Sequence, residues 1–125
     1  LLSIANFFFL RLIRTTQIIS LFFQLMGLRV GENTVINCTK ISDCDRVTIG
    51  SECILGGDIV INAHSVEGKK LIQRKVQIGN NVTLGLYVTV LPGVIIEDDV
   101  IVSANSLIPK DKVLKSGKIY AGIPV

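Results

Sequence analysis

The chain has 125 residues, of which 49% are hydrophobic and 18% are charged, a balance typical of a packed globular protein and not of a disordered one. Its 13 Lys and Arg against 10 Asp and Glu give a formal net charge of +3, too small an excess to indicate a nucleic-acid-binding surface. We therefore expect no nucleic acid partner.

Residues 1–28 form an apolar segment without proline, in which Arg11 and Arg14 are the only charged residues. This composition predicts a helix, and the two arginines divide it into apolar runs shorter than the roughly 20 residues that cross a bilayer. Three interpretations stay open: an interfacial helix, the end of a transmembrane span that starts further upstream, or a helix that caps the next domain. We expect membrane contact, at the cytoplasmic face. Because the chain opens without Met, we also expect it to be part of a longer protein.

Three cysteines, Cys38, Cys44 and Cys53, form no CxxC pair, and their odd number favours reduced thiols in a cytoplasmic protein. We expect neither a disulfide nor a metal site. Cys53 falls on a small inward position of its repeat and is predicted to lie in the core.

From Val30 onward an aliphatic residue returns at every sixth position, apart from a one-residue slip between Ile41 and Ile49. Each hexad supplies a short strand and a turn, and strands stacked about 4.8 Å apart hydrogen-bond to the coils above and below. Three hexads make a triangular coil, so we expect about four coils of an all-β, left-handed parallel β-helix, preceded by the apolar helix. Eight side chains are predicted to share one core: Ile78, Val82, Leu84, Val88, Val90, Val94, Ile96 and Val100.

Glycines and short polar residues mark the turns of this repeat. They are Gly31, Gly50, Gly79 and Gly85, followed by Asn33, Asn81 and Asp99. Residues 67–77, EGKKLIQRKVQ, break the hexad count and carry four basic residues, so they are predicted to leave the coil as an extruded loop. His64, the only histidine of the chain, precedes this loop.

The runs INAHSVEGKK, VQIGNNVTLGLYVTVLPGVIIEDDVIVSANSLIPKDKV and IYAGIPV resemble the hexapeptide-repeat acyltransferases, which include sugar and xenobiotic O-acetyltransferases. The shared pattern is a histidine before an extruded loop, an IGxNVxxG pair, a VLPGV coil, an ANSL step with a following lysine, and a closing AGxP. It covers Val30 to Val125. The stretch ISDCDRVTIG is also similar to membrane-associated members. We expect an acyltransferase domain at 29–125, after the helix at 1–28.

The resemblance implies transfer of an acetyl group from acetyl-CoA to a hydroxyl of a sugar, glycan or other small acceptor. His64 would be the general base, because neutral imidazole can take the proton of a hydroxyl that attacks a thioester. A solvent-facing turn histidine is the alternative. Glu67 would orient the ring or contact substrate, or else is a solvated loop carboxylate. Asn37 lies near the position of an acceptor-binding Asn in sugar acetyltransferases, and a plain turn role is its alternative.

Coenzyme A would lie in a groove between neighbouring β-helices, with its pantetheine arm along Gly85 and Ala104 and its phosphates near Lys110. Some family members have a serine at the oxyanion position, where this chain has Leu86. A backbone N–H of Gly85 or Leu86 is then the expected oxyanion donor.

Because the family is trimeric, the resemblance also implies a homotrimer with composite sites. The same coils occur in γ-class carbonic anhydrases, but these need about three histidines and are excluded here. No metal is predicted. The alternative function is a catalytically silent β-helix that serves as a trimeric scaffold or docks a membrane-bound partner, and coenzyme A binding would distinguish the two.

Overall fold

The computed structural model of the chain describes residues 17–37 and 40–125, which form one short helix followed by a triangular parallel β-helix. The helix is α1 (Gln17–Leu25), and a 3₁₀ turn spans Cys44–Arg46. The strands are β1 (Arg29–Val30), β2 (Val35–Ile36), β3 (Lys40–Ile41), β4 (Val47–Ile49), β5 (Ile54–Leu55), β6 (Val60–Ile61), β7 (His64–Glu67), β8 (Lys70–Gln73), β9 (Val76–Ile78), β10 (Thr83–Leu84), β11 (Thr89–Val90), β12 (Ile95–Ile96), β13 (Ile101–Val102), β14 (Leu107–Ile108), β15 (Val113–Leu114) and β16 (Ile119–Tyr120).

Three parallel sheets form the faces of the prism. Sheet A contains β1, β4, β9, β12 and β15; sheet B contains β2, β5, β10, β13 and β16; and sheet C contains β3, β6, β11 and β14. Each strand pairs with its equivalent in the next coil, so Ile78 faces Ile96, a register partner 18 residues later. The chain thus completes four coils and starts a fifth with β15 and β16. The predicted left-handed β-helix is confirmed.

One side chain in each strand points inward, and these residues fill the prism. All eight predicted core residues are at most 3% exposed, which confirms the interpretation of the hexad period. Cys53 is fully buried among them, as predicted. Burying such aliphatic side chains is worth about 1.5 to 3 kcal/mol each, so the core is the main source of the fold's stability.

The turns use the residues that the sequence indicated. Asn33, Asn81 and Asp99 have φ angles between +55° and +60°, a left-handed conformation that Asn and Asp tolerate. The Asn81 side-chain amide donates to Asp99 Oδ1 of the next coil at 2.7 Å. An added Cβ at Gly50 would lie 2.5 Å from the backbone oxygen of Gly79, so the stacking of coils requires glycine there.

The helix α1 closes the N-terminal end of the prism. Ile19 and Phe23, four residues apart on one helical face, are fully buried in the core. The helix ends in a Schellman motif, because Leu28 N–H donates to Phe23 O and Gly27 N–H donates to Gln24 O, both at 3.0 Å. Gly27 has a φ of +106°, which favours glycine.

The predicted helix over 1–28 therefore ends at Leu25, and Leu28 belongs to the core cluster. Residues 1–16 lie outside the described part of the chain, so the first part of that prediction is not addressed. Within residues 17–37 and 40–125, no helix has the length and hydropathy needed to cross a bilayer.

The predicted extruded segment is an antiparallel hairpin of β7 and β8, paired from His64–Gln73 to Glu67–Lys70. Gly68 has a φ of +63° at the first central position of its two-residue turn, as a type II′ turn requires. The predicted boundaries of 67–77 are shifted, because strand pairing begins at His64 while Val76 and Gln77 belong to β9. The alternation of apolar and polar residues along both arms explains why a hairpin forms here.

Candidate active site

The predicted site residues lie at two different corners of the prism. The His64 corner joins sheet C to sheet A and consists of the turns at 42–46, 62–64, 74–75, 91–94 and 109–112. The Leu86 corner joins sheet B to sheet C and consists of the turns at 37, 56–59, 85–88, 103–106 and 121–122. The strands of sheet C separate the two corners. His64, Glu67 and Lys110 belong to the first corner, and Asn37, Gly85, Leu86 and Ala104 belong to the second.

His64 stands where the chain leaves the second coil to form the hairpin. Its Nδ1 atom makes a short contact with the carboxylate of Asp43, which lies in the first coil at the same corner. The side chains of His64 and Asp43 are 39% and 22% exposed, so the ring is held from one side and open to solvent on the other. Asp43 is the N-cap residue of the 3₁₀ turn but makes no side-chain capping bond, which leaves its carboxylate for His64.

The contact with Asp43 fixes the form of the imidazole. A carboxylate accepts hydrogen bonds, so Nδ1 carries the proton and Nε2 keeps its lone pair. Nε2 is the nitrogen that can act as a base. The arrangement of a carboxylate, an imidazole and a free Nε2 is the one found wherever histidine removes a proton from a hydroxyl.

A second set of hydrogen bonds supports the backbone at this corner. Asn62 Oδ1 accepts from the backbone N–H of His64 at 3.1 Å and from Ser42 Oγ at 3.0 Å. Asn62 therefore links the first and second coils directly beside the Asp43–His64 pair, and it holds the start of the hairpin in place.

Glu67 lies on the opposite face of the hairpin from His64, because residues three apart on a strand point to opposite sides. It cannot orient the ring, and Asp43 occupies that position instead. Glu67 Oε1 accepts from Lys110 Nζ at 3.3 Å and from Ser65 Oγ at 3.1 Å, and its Oε2 lies 3.8 Å from Arg74. The hydrogen bond from Lys110, followed by that from Ser65, lowers the pKa of Glu67. Glu67 is thus a link between the hairpin and the fourth coil.

A second ion pair strengthens this link. Arg74 Nη1 donates to Asp111 Oδ2 at 2.6 Å, across the turn that contains Gly93. A Cβ added at Gly93 would collide with the Asp111 carboxylate and lie 3.4 Å from Arg74 Cδ. Gly93, with a φ of +81°, therefore leaves room for the ion pair, and Lys110 and Asp111 together fasten the hairpin against the prism.

The Leu86 corner offers one candidate oxyanion donor. The backbone N–H of Gly85 donates to Val102 O at 2.9 Å, so that donor is already used. Among residues 17–37 and 40–125, the Leu86 N–H has no hydrogen-bond acceptor, and its side chain is exposed. Of the two expected donors, Leu86 N–H is the one that the fold leaves available. An added Cβ at Gly85 would lie 2.7 Å from the backbone nitrogen of Ala104, so these two predicted coenzyme-binding positions are stacked in contact.

Asn37 is also at the Leu86 corner, in the first coil, where its N–H donates to Leu55 O at 3.0 Å. Within one chain it does not lie beside His64, since sheet C stands between them. The structure brings together His64, Glu67 and Lys110, and separately Asn37, Gly85, Leu86 and Ala104.

The described cysteines are core residues. Burial raises the pKa of the Cys44 thiol to about 11 and also raises that of Cys53, so both are poor nucleophiles. Cys38 lies outside the described residues. Within residues 17–37 and 40–125, no three His, Cys, Asp or Glu side chains are grouped so that they could hold a metal ion.

Asp43 is the functional residue that the sequence prediction missed. Its position could have been found from the coil register, because Ile41 pairs with Ile61 and residue 43 therefore stacks against residues 63 and 64. The irregular spacing of the first coil hides this relation from a hexad count.

Comparison with known proteins agrees with the fold and the repeat. Residues 75–110 match the sequence family described as bacterial transferase hexapeptide (six repeats). The structure is similar to a maltose O-acetyltransferase from Clostridium difficile 630, with a TM-score of 0.66 and 26% identity over 77% of this chain and 55% of that one. The predicted resemblance to hexapeptide-repeat acyltransferases is confirmed.

A more distant similarity concerns the fold alone. A mutant perosamine N-acetyltransferase from Caulobacter crescentus, solved in complex with CoA and GDP-perosamine, has a TM-score of 0.55 and 21% identity over 78% of this chain and 48% of that one. The chain spans about half the length of these two solved structures. A comparison with curated proteins gives no significant match.

Proposed function

We propose that this chain is the β-helix of a coenzyme A-dependent acyltransferase that acetylates a hydroxyl of a sugar, glycan or other small acceptor. The observation that carries this proposal is the Asp43–His64 pair, which leaves Nε2 as a base on the open side of the ring. The similarity to a maltose O-acetyltransferase supports the choice of an acetyl group and a hydroxyl. The CoA bound to a protein of the same fold supports coenzyme A as the donor.

The proposed reaction is a direct transfer without a covalent enzyme intermediate. His64 Nε2 takes the proton of the acceptor hydroxyl while its oxygen forms a bond to the thioester carbonyl carbon. The carbon–sulfur bond then breaks, and the imidazolium returns the proton to the coenzyme A thiolate. Asp43 stabilises the imidazolium that forms between these two steps, so it is a positioning residue.

The charged groups of the His64 corner suggest how the coenzyme is held. Lys110 lies in the fourth coil of the same corner, about two coil spacings of 4.8 Å above the second coil, from which His64 departs. A phosphate at Lys110 would compete with Glu67 for the ammonium group, so Glu67 tunes coenzyme binding in this proposal. The oxyanion of the reaction would be bound by Leu86 N–H.

One chain cannot bring Leu86 to His64, since they lie at different corners. A second copy is therefore part of the proposal, with its Leu86 corner set against the His64 corner of the first. An exposed aliphatic ladder supports such an assembly, because outward-facing residues of sheet B stack directly above one another along the prism. These residues are Val35, Ile54, Ile101 and Ile119. A homotrimer repeats this contact three times and closes on itself.

The test of the proposal is the release of coenzyme A thiol from acetyl-CoA across a panel of sugar and other hydroxyl acceptors. Asp43→Asn should lower kcat by roughly 10- to 10²-fold or more, since the neutral amide stabilises neither the tautomer nor the imidazolium. The pH at which activity is half-maximal should also move. Asp45→Asn, an exposed change two residues away in the same 3₁₀ turn, is the matched control.

The silent scaffold is separated from the enzyme by the same preparation. If acetyl-CoA neither stabilises the protein against heat nor is consumed with any acceptor, the acyltransferase proposal is wrong. An Asp43→Asn protein with the activity and pH profile of the Asp45→Asn control would instead remove the proposed role of the pair.

A further inference from the structure

The helix α1 leaves one apolar face uncovered. Ile19 and Phe23 are buried against the prism, whereas Ile18, Leu21 and Leu25 are 52%, 55% and 79% exposed. These three side chains recur at i, i+3 and i+7, so they form one stripe along the helix. With Phe22 they line a single shallow groove that is almost wholly apolar.

The charge around this stripe has one sign only. Residues 1–31 contain Arg11, Arg14 and Arg29 and no Asp, Glu or Lys, and the first acidic residue of the chain is Glu32. Arg29, directly after α1, is exposed. An apolar stripe within a purely cationic segment is the combination that binds a bilayer with anionic headgroups.

We propose that the exposed face of α1 docks onto the surface of an anionic phospholipid bilayer. The nine residues of α1 are too few to span a bilayer, so the helix lies in the interface with Ile18, Leu21 and Leu25 among the acyl chains. A second copy is a poorer occupant, because a symmetric contact through this face would bring the arginines of two chains together.

Docking through α1 also brings the Asp43–His64 pair close to the membrane. A Cβ added at Gly27 would lie 3.1 Å from Asp45 Cβ, so the end of α1 abuts the 3₁₀ turn that follows Asp43. Asp43 belongs to the first coil and His64 to the end of the second, within about two coil spacings of 4.8 Å from the capped end. If the proposed acyltransferase function holds, this placement favours acceptors that reach the enzyme at the bilayer surface.

The experiment measures flotation of the full chain with vesicles of phosphatidylcholine, with and without phosphatidylserine. The wild-type chain should bind the mixed vesicles at least about 10-fold more tightly than the neutral ones, because each arginine near an anionic surface adds to binding. The double variant Leu21→Gln, Leu25→Gln should bind mixed vesicles roughly 100-fold more weakly, the change expected when two leucines cease to be buried.

The matched control is the double variant Val66→Gln, Leu71→Gln, which changes two similarly exposed apolar residues on the hairpin and should bind like wild type. Circular dichroism and the melting temperature should be alike for all three proteins, since none of the four residues is buried. The assay uses no acetyl-CoA, so its result is independent of the proposed reaction.

Two results would overturn the docking proposal. The first is equal vesicle binding by the α1 double variant and the wild type, which would place the lipid contact elsewhere. The second is a wild-type chain that stays with the lipid-free fraction while the α1 variant alone loses self-association in sedimentation velocity. That outcome would identify a second copy as the occupant of the stripe.

Discussion

The third and fourth coils and the first and second coils of this β-helix are built from the same hexads but differ in regularity. In the upper pair, Leu84 faces Val102 and Val90 faces Ile108, in both cases 18 residues later. In the lower pair, Ile36 faces Leu55 after 19 residues and Ile41 faces Ile61 after 20. The proposed catalytic pair lies entirely in the irregular part.

Each departure from the period supplies one component of the site. The long connection from Ile41 to Val47 contains the 3₁₀ turn, and it places Asp43 at the His64 corner. The insertion between β6 and β9 supplies the hairpin and positions His64 at its base. Regular coils form a core that any hexad sequence can build, and chemistry enters where the repeat is interrupted.

Replacing the base should give the largest effect and should be confined to activity. His64→Ala is expected to lower turnover by roughly 10²- to 10⁴-fold, the loss typical of a missing general base, while coenzyme A binding and the melting temperature stay unchanged. Turnover in the thiol-release assay and coenzyme A affinity by calorimetry measure the two parts. An alanine variant as active as wild type would make His64 a turn residue.

The opposite behaviour is expected in the regular coils. Leu84→Ala removes a side chain that is 1% exposed and should destabilise the protein by about 2 to 5 kcal/mol, without a change in kcat at temperatures where it is folded. Urea unfolding at a fixed protein concentration measures the loss. Leu71→Ala, on the exposed hairpin, should change stability by less than about 0.5 kcal/mol. Equal losses in both variants would contradict the division into core and site.

The regular part of the molecule could be predicted from the sequence, because one aliphatic residue in six is a local pattern with a single structural solution. All eight core residues named from that pattern are buried. The cap formed by Ile19 and Phe23 was one of three alternatives, since an apolar helix does not indicate by itself which surface it will meet.

The site was less predictable because its contacts depend on the spacing between coils. With a uniform offset of 18, the residue beneath His64 would be Arg46, a cation, and no basic pair would be expected. The offset of 20 between Ile41 and Ile61 brings Asp43 there instead. The link from Glu67 to Lys110 joins residues 43 apart through a hairpin whose direction the sequence does not encode in any period.

A smaller effect is expected at the phosphate site. Lys110→Ala should raise the KM for acetyl-CoA by roughly 5- to 150-fold, the equivalent of about 1 to 3 kcal/mol for a hydrogen bond to a charged group. The acceptor KM should not change, and the effect should shrink as salt is added. Lys112→Ala, in the same turn, is the control. A change in acceptor KM alone would move the coenzyme away from the His64 corner.

The smallest effect concerns the titration of Glu67, which reports directly on the link between the irregular and regular parts. Its pKa is lowered chiefly by the hydrogen bond from Lys110, so folding favours the carboxylate form. The stabilisation from this contact is fully present above the ordinary glutamate pKa of about 4.3 and is lost as the pH falls through the lowered value. Carbon-detected NMR should give a Glu67 midpoint below about 4.3 in the wild type, and Lys110→Ala should raise it toward that value. Because the pair is exposed, the midpoint should change more clearly than the melting temperature. Amide exchange in β7 and β8 should quicken in the acid limb while exchange in β10 and β13 does not. A Glu67 midpoint that Lys110→Ala leaves unaltered would mean that the hairpin is held by Arg74 and Asp111 alone.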